Sequence, residues 1–195
     1  IGDTYAKYYE ALISSRDERL EHFTAVGVAV SQMCRDPLLL YSAQALEDHK
    51  QGLCTYAVEQ VVLAIVVTTG IASIFLTKDY TPDYNSGLAH AIFYALTAYP
   101  VIEERHLHGE VVAFGILIAL LVDGQKEEFE KIYELNKSIG LPTRLSDIEI
   151  TPAQWEECLD RIPTMSDVAH YPYKVTRPML EQAMKVLEER AVSHR

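Results

Sequence analysis

The residues best suited to chemistry in this chain are its imidazoles and a few carboxylates. Histidine stands at positions 22, 49, 90, 106, 108, 170 and 194. His22 and His49 lie in charged helical surroundings and read as solvated, and His194 belongs to the tail. His90 is different. It sits in the apolar run Leu88-Ala89-His90-Ala91-Ile92, as a hydrogen-bonded core histidine or as a ligand. His108 precedes Gly109-Glu110 and a long apolar stretch, so it is a first-turn helix residue or a second ligand. Asp3 has the same double reading, because Asp is a favoured helix N-cap. Together, one carboxylate and two imidazoles make a three-ligand set that leaves positions on Zn²⁺ or Fe²⁺ open to water or substrate. An open metal of this kind polarises an alcohol oxygen and lowers its pKa. Periodicity alone does not join Asp3 to residues almost ninety positions away.

The elements that must position these groups all read as helices. Periodic or punctuated segments predict helices over Thr4–Ser14, Asp17–Cys34, Leu38–Lys50, Thr55–Leu76, Gly87–Ala98, Glu110–Val122, Lys126–Ser138, Ala153–Ile162 and from Thr176 to about Val192. Lys78–Ser86 has turn chemistry, and Pro100 with Glu103–Arg105 reads as a connection. No strand pattern is convincing, since the β-branched runs at 61–67 and 111–122 sit in stretches too long for strands. The expectation is one all-α domain spanning 1–195, a bundle of about eight to ten helices. Gln60–Thr77 has no charge and approaches the ~18-residue length of a membrane span. Thr68, Thr69, Gly70 and Ser73 within it, Glu59 just before it, and the absence of a Lys or Arg cluster at either end favour instead a helix buried on all sides.

Composition narrows the function classes. The 195 residues are 49% apolar and 23% charged, as in ordinary globular proteins, with a formal charge of −11 that disfavours phosphate backbones. Three widely spaced cysteines, at 34, 54 and 158, fit a reducing cytoplasm rather than a disulfide framework. The start Ile1-Gly2-Asp3 has no initiator Met and no signal-peptide pattern, which reads as an interior cut in a longer protein.

Five segments then converge on one family. Ile1-Gly2-Asp3-Thr4 through Tyr8-Tyr9-Glu10-Ala11 resembles the G-I-G-D-x-x-A-K-W-x-E-A segment that opens the helical domain of glycerol dehydrogenases. Gly87–Ile92 resembles their G-L-A-x-A-H-A-I block, and Leu107–Gly115 their H-G-E-x-V-A-F-G block. Gly140-Leu141-Pro142 is a further landmark, and His170-Tyr171-Pro172 with Val175-Thr176 resembles the closing H-N-M-P…V-T segment. These enzymes belong to the iron-containing (group III) alcohol dehydrogenase superfamily, together with dehydroquinate synthase.

The resemblance implies a dehydroquinate synthase-like C-terminal helical domain. It implies metal ligands Asp3, His90 and His108, with Zn²⁺ ahead of Fe²⁺, and a metal that ionises the substrate hydroxyl for hydride transfer to NAD⁺. It also implies a small alcohol or polyol substrate, a homo-oligomer in the cytoplasm, and no nucleic-acid or membrane partner. The family's N-terminal NAD-binding α/β domain, with its Gly-rich loop, is missing from this chain, so the isolated chain is expected to be inactive. A second departure concerns the His that many relatives carry one turn after the first metal His. Phe93 and Tyr94 stand there, which leaves Tyr94 as a substitute proton-relay group or points to a 2-oxo or 2-hydroxy acid as substrate. A stand-alone, non-catalytic helical domain is the other alternative. A phosphate-handling branch of the superfamily fits poorly, because Arg105 is the one cation near the two histidines in sequence. His106 is expected to turn to solvent and not to ligate, whereas packing holds His108.

Overall fold

A computed structural model describes residues 1–77 and 84–192, and among them the chain is all-α. The expected turn at 78–86 and His194 lie partly or wholly outside those residues. The helices are α1 (Gly2–Ser14), α2 (His22–Ser31), α3 (Asp36–Lys50), α4 (Tyr56–Leu63), α5 (Thr69–Leu76), α6 (Leu88–Leu96), α7 (Pro100–Arg105), α8 (His108–Val122), α9 (Lys126–Ile139), α10 (Pro152–Cys158) and α11 (Arg177–Val192).

The hub is α8. Its run from Val111 to Leu120 is wholly buried, with α1, α6, α9 and α11 packed around it. A helix enclosed this way needs no polar face, which explains its uniformly apolar sequence. Two glycines set how closely its neighbours approach. A side chain on Gly115 would stand 2.8 Å from the Ala89 backbone, so Gly115 lets α8 lie directly on α6. A side chain on Gly2 would stand 2.0 Å from the Gly109 carbonyl, so the first turns of α1 and α8 also touch backbone to backbone.

Helix α9 ends at Gly140, left-handed at φ 77°, and the Leu141 amide returns to the Asn136 carbonyl at 2.8 Å. The buried Asn136 side chain accepts from the Tyr5 hydroxyl at 2.7 Å and donates to the Pro142 carbonyl at 3.3 Å. It thereby ties this stop signal to α1.

Several boundaries differ from the sequence reading. The second helix starts at His22 rather than Asp17, because Asp17 takes a left-handed φ of 64° that no α-helix admits. The connection around Glu103–Arg105 is itself the short helix α7, opened by Pro100 in its first turn. The tenth helix closes at Cys158, and Ile162 falls in a separate 3₁₀ turn.

The largest correction concerns the apolar stretch expected to be buried on all sides. Helices α4 and α5 form one rod, Tyr56–Leu76, joined through a π turn at Ala64–Thr68. There the Thr69 hydroxyl donates to the Ala64 carbonyl at 3.0 Å. Only 17% of the most apolar window of this rod is buried. The buried stripe is small, Ala57, Val61, Ala64, Ala72 and Leu76, set against α3 and α2. Val62, Val66, Val67 and Ile74 face outward instead, and Phe75 stacks its ring on exposed Phe23 at 5.8 Å. By length and composition this rod is the one described helix that could cross a membrane.

Candidate metal centre

Three helix starts meet at one corner of the bundle. Asp3 is in the first turn of α1, His90 in the first turn of α6, and His108 opens α8. The glycine contacts described above allow the meeting: Gly2 on Gly109 brings Asp3 to His108, and Gly115 on Ala89 brings α6 beside α8.

One ligand-capable atom from each residue lies within 4.8 Å of the other two. Asp3 Oδ1 stands 3.3 Å from His90 Nε2 and 3.5 Å from His108 Nε2, and the imidazole ring centres are 5.3 Å apart. Asp3 Oδ1 is shut off from solvent, yet it makes no hydrogen bond of acceptable geometry, so these are contacts between converging polar atoms. Two atoms each about 2.0–2.1 Å from one tetrahedral zinc stand roughly 3.3–3.4 Å apart. The two Asp3 spacings and the O/N/N donor set therefore fit a divalent transition metal, and a cation at the centre gives the orphaned oxygen a partner.

The surroundings fix His90 more firmly than His108. The Glu10 carboxylate, fully buried on α1, accepts from the His90 backbone amide at 3.1 Å through Oε1 and meets His90 Nδ1 at 2.6 Å through Oε2. The Leu88 amide donates to the Tyr171 hydroxyl at 3.1 Å. Both amides belong to the start of α6, whose N-cap, Gly87, has no side chain to offer. Burial pushes the His90 imidazolium down, but the Glu10 charge and contact with Asp3 outweigh it and hold the group up at about 9. Burial likewise raises Asp3, and contact with His108 and His90, with the charge of Lys7, overcomes this and holds it well below the usual carboxylate range. Lys7 is itself buried, its Nζ donating to the Asn85 carbonyl at 2.8 Å.

The exposure of the two neighbouring histidines is the reverse of the sequence expectation that packing holds His108 while His106 turns to solvent. The His108 side chain is 44% exposed and that of His106 only 11%. His108 is oriented by the edge of Phe93, 4.4 Å between ring centres, on the side where the corner opens to solvent. His106, at the end of α7, is largely buried with Nδ1 3.7 Å from Glu110, and it is not among the converging ligands. Tyr94 lies at the rim, its ring 6.3 Å from that of His90. Its hydroxyl is raised above the ordinary phenol value by partial burial and by the charges of Asp167, Glu10 and Asp3, so at neutral pH it is a proton donor.

Sequence reasoning missed Glu10 and Lys7 as parts of this corner. Each falls within the Ile1–Ala11 segment, and the i, i+4 and i+7 spacing of Asp3, Lys7 and Glu10 on one helix was the available signal.

No family model matches the chain. It is 32% identical to hydroxycarboxylate dehydrogenase A of Escherichia coli K12, over 96% of this chain and 52% of that protein. It is 30% identical to a glycerol dehydrogenase of Escherichia coli O6:H1, over 77% of this chain and 40% of that protein. In three dimensions it is similar to a probable glycerol dehydrogenase from Sinorhizobium meliloti, with a TM-score of 0.77 and 27% identity, covering all of this chain and 55% of that one. The chain thus spans about half the length of the relatives it matches.

Proposed function

We propose that this chain, as a helical C-terminal domain of the glycerol dehydrogenase family, is the metal-binding half of an NAD-dependent dehydrogenase acting on a small alcohol or polyol. The observation that carries this reading is the orphaned Asp3 Oδ1, held between two imidazole nitrogens at distances that suit one metal ion. Asp3, His90 and His108 are the ligands, with Zn²⁺ ahead of Fe²⁺ because the two Asp3–His spacings suit tetrahedral zinc. When bound, the metal supplies Lewis acidity to a substrate hydroxyl. Glu10 orients His90, Phe93 orients His108, and Tyr94 places a phenol proton at the rim where a second substrate oxygen can meet it. The half-exposed face of His108 is the way in.

The missing half is an NAD-binding α/β domain. The relatives' double length supports it, and so does the exposed apolar face of α4–α5, which needs cover from something outside this chain. A 2-hydroxy or 2-oxo acid substrate is the second reading. It is favoured by the fuller coverage of this chain by the hydroxycarboxylate dehydrogenase and by Phe93 and Tyr94 after the first metal histidine.

Equilibrium dialysis of the chain against Zn²⁺ tests the centre, with one ion per chain expected and none after His108→Ala. Full metal content in that variant rejects the assignment. The isolated chain is expected to oxidise nothing with NAD⁺. The parent carrying its other half, screened against glycerol and 2-hydroxy acids, separates the two substrate readings.

A further inference from the structure

Glu10 reaches the candidate centre without being one of its ligands. It is fully buried. Its stem is closely packed: a methyl added at Gly87 would lie 3.2 Å from its Cβ and Cγ. Its two oxygens are committed to one residue, Oε1 to the His90 backbone amide at 3.1 Å and Oε2 to the His90 ring at Nδ1, 2.6 Å away. The amide is a donor that cannot change. The ring can, since either nitrogen of a neutral imidazole can carry the proton. A carboxylate only accepts, and Oε2 at 2.6 Å engages Nδ1 far more closely than Asp3 Oδ1 at 3.3 Å engages Nε2, so the neutral ring keeps its proton at Nδ1 and leaves the Nε2 lone pair free. Nε2 is the atom that faces Asp3, 3.3 Å away.

We propose that Glu10 is the positioning residue of this centre: through one carboxylate it caps α6 and locks His90 in the tautomer whose Nε2 can bind a metal. The inference rests on the reading of Asp3, His90 and His108 as ligands, but its structural half stands apart from that reading. Partners of this kind, which fix a ligand's tautomer and ring angle, typically change metal affinity 10–100-fold when removed.

Glu10→Gln separates capping from ligand control. The amide oxygen of Gln can still accept from the His90 backbone, which keeps the cap. Its NH₂ then faces Nδ1 and must donate there, which moves the ring proton to Nε2 and blocks the lone pair. The experiment measures Zn²⁺ affinity of the chain and of Glu10→Gln by competition with a chromophoric chelator, with circular dichroism of both in chelator as the folding control. The expected result is native helicity with affinity lower by roughly 10–100-fold. Unchanged affinity in a folded Glu10→Gln chain overturns the proposal.

A second measurement needs no variant and no metal. Two-bond ¹H–¹⁵N correlation spectra of the unsubstituted chain, in chelator and above the pH at which the His90 ring becomes neutral, report which nitrogen holds the proton. Nδ1–H is expected, and Nε2–H overturns the proposal even if Glu10→Gln does not fold. Should the unsubstituted chain bind no Zn²⁺, the ligand reading fails, while the tautomer still decides whether Glu10 controls the ring.

Discussion

Helix α8 and the α4–α5 rod are the two most apolar stretches of the chain, and they meet opposite fates. Helix α8 is enclosed by four other helices, whereas the rod buries a narrow stripe of mostly small residues and turns its valines and isoleucines outward. Apolar composition therefore states that a helix wants cover, not where the cover comes from. For α8 the cover is this chain. For α4–α5 the described residues of this chain cover only that stripe.

The strongest way to break the comparison is to truncate both helices. Phe114→Ala, at the buried centre of α8, should cost about 3–5 kcal/mol. Val66→Ala, on the outer face of the rod, should stay within about 0.5 kcal/mol in the isolated chain. Urea unfolding measures both, and equal losses would mean that the outer face is covered after all.

The glycines sharpen the contrast at smaller scale. Gly115→Ala drives a methyl into the Ala89 backbone and should cost about 1–3 kcal/mol. It should also weaken Zn²⁺ retention, because it parts α6 from α8. Gly70 in α5 meets nothing within 4 Å, so Gly70→Ala should stabilise the isolated chain by about 0.5–1 kcal/mol. Thermal melts of the two variants should shift in opposite directions.

At the site, His106→Ala should leave metal content unchanged, although His106 is the more buried of the two neighbouring histidines. Dialysis followed by metal analysis checks this, and loss of metal would bring His106 into the ligand set.

A further effect is a pH dependence away from the candidate centre. Glu128 on α9 accepts from Lys131, from Tyr9 of α1 and from Arg35. Burial raises its carboxyl, but these partners outweigh it and lower it from 4.5 to about 2. A depressed carboxylate contributes stability that is fully present above 4.5 and lost as pH falls toward 2. The urea midpoint of the chain should fall over that window, and Glu128→Gln should flatten part of the fall.

The sequence carried a good share of this. Helical class, the buried α8 and the Gly140 stop were legible because periodicity and punctuation are local signals. The start of α2 was not, since nothing in the composition of residues 15–21 announces the left-handed turn at Asp17. The outward face of α4–α5 was hidden for a different reason: a helix without polar residues has no periodicity to say which side faces in.

What the sequence determined by itself was the helical class and, through a family resemblance, which residues to consider as donors. Only the tertiary structure decided that Asp3 meets His90 and His108, that His106 stays away although it is buried, and that Glu10 holds the His90 ring. These outcomes depend on how closely three helix starts can approach, and that distance is set by Gly2 on Gly109 and Gly115 on Ala89. Such contacts join residues that sequence spacing leaves unrelated, so they exist only once the chain has packed.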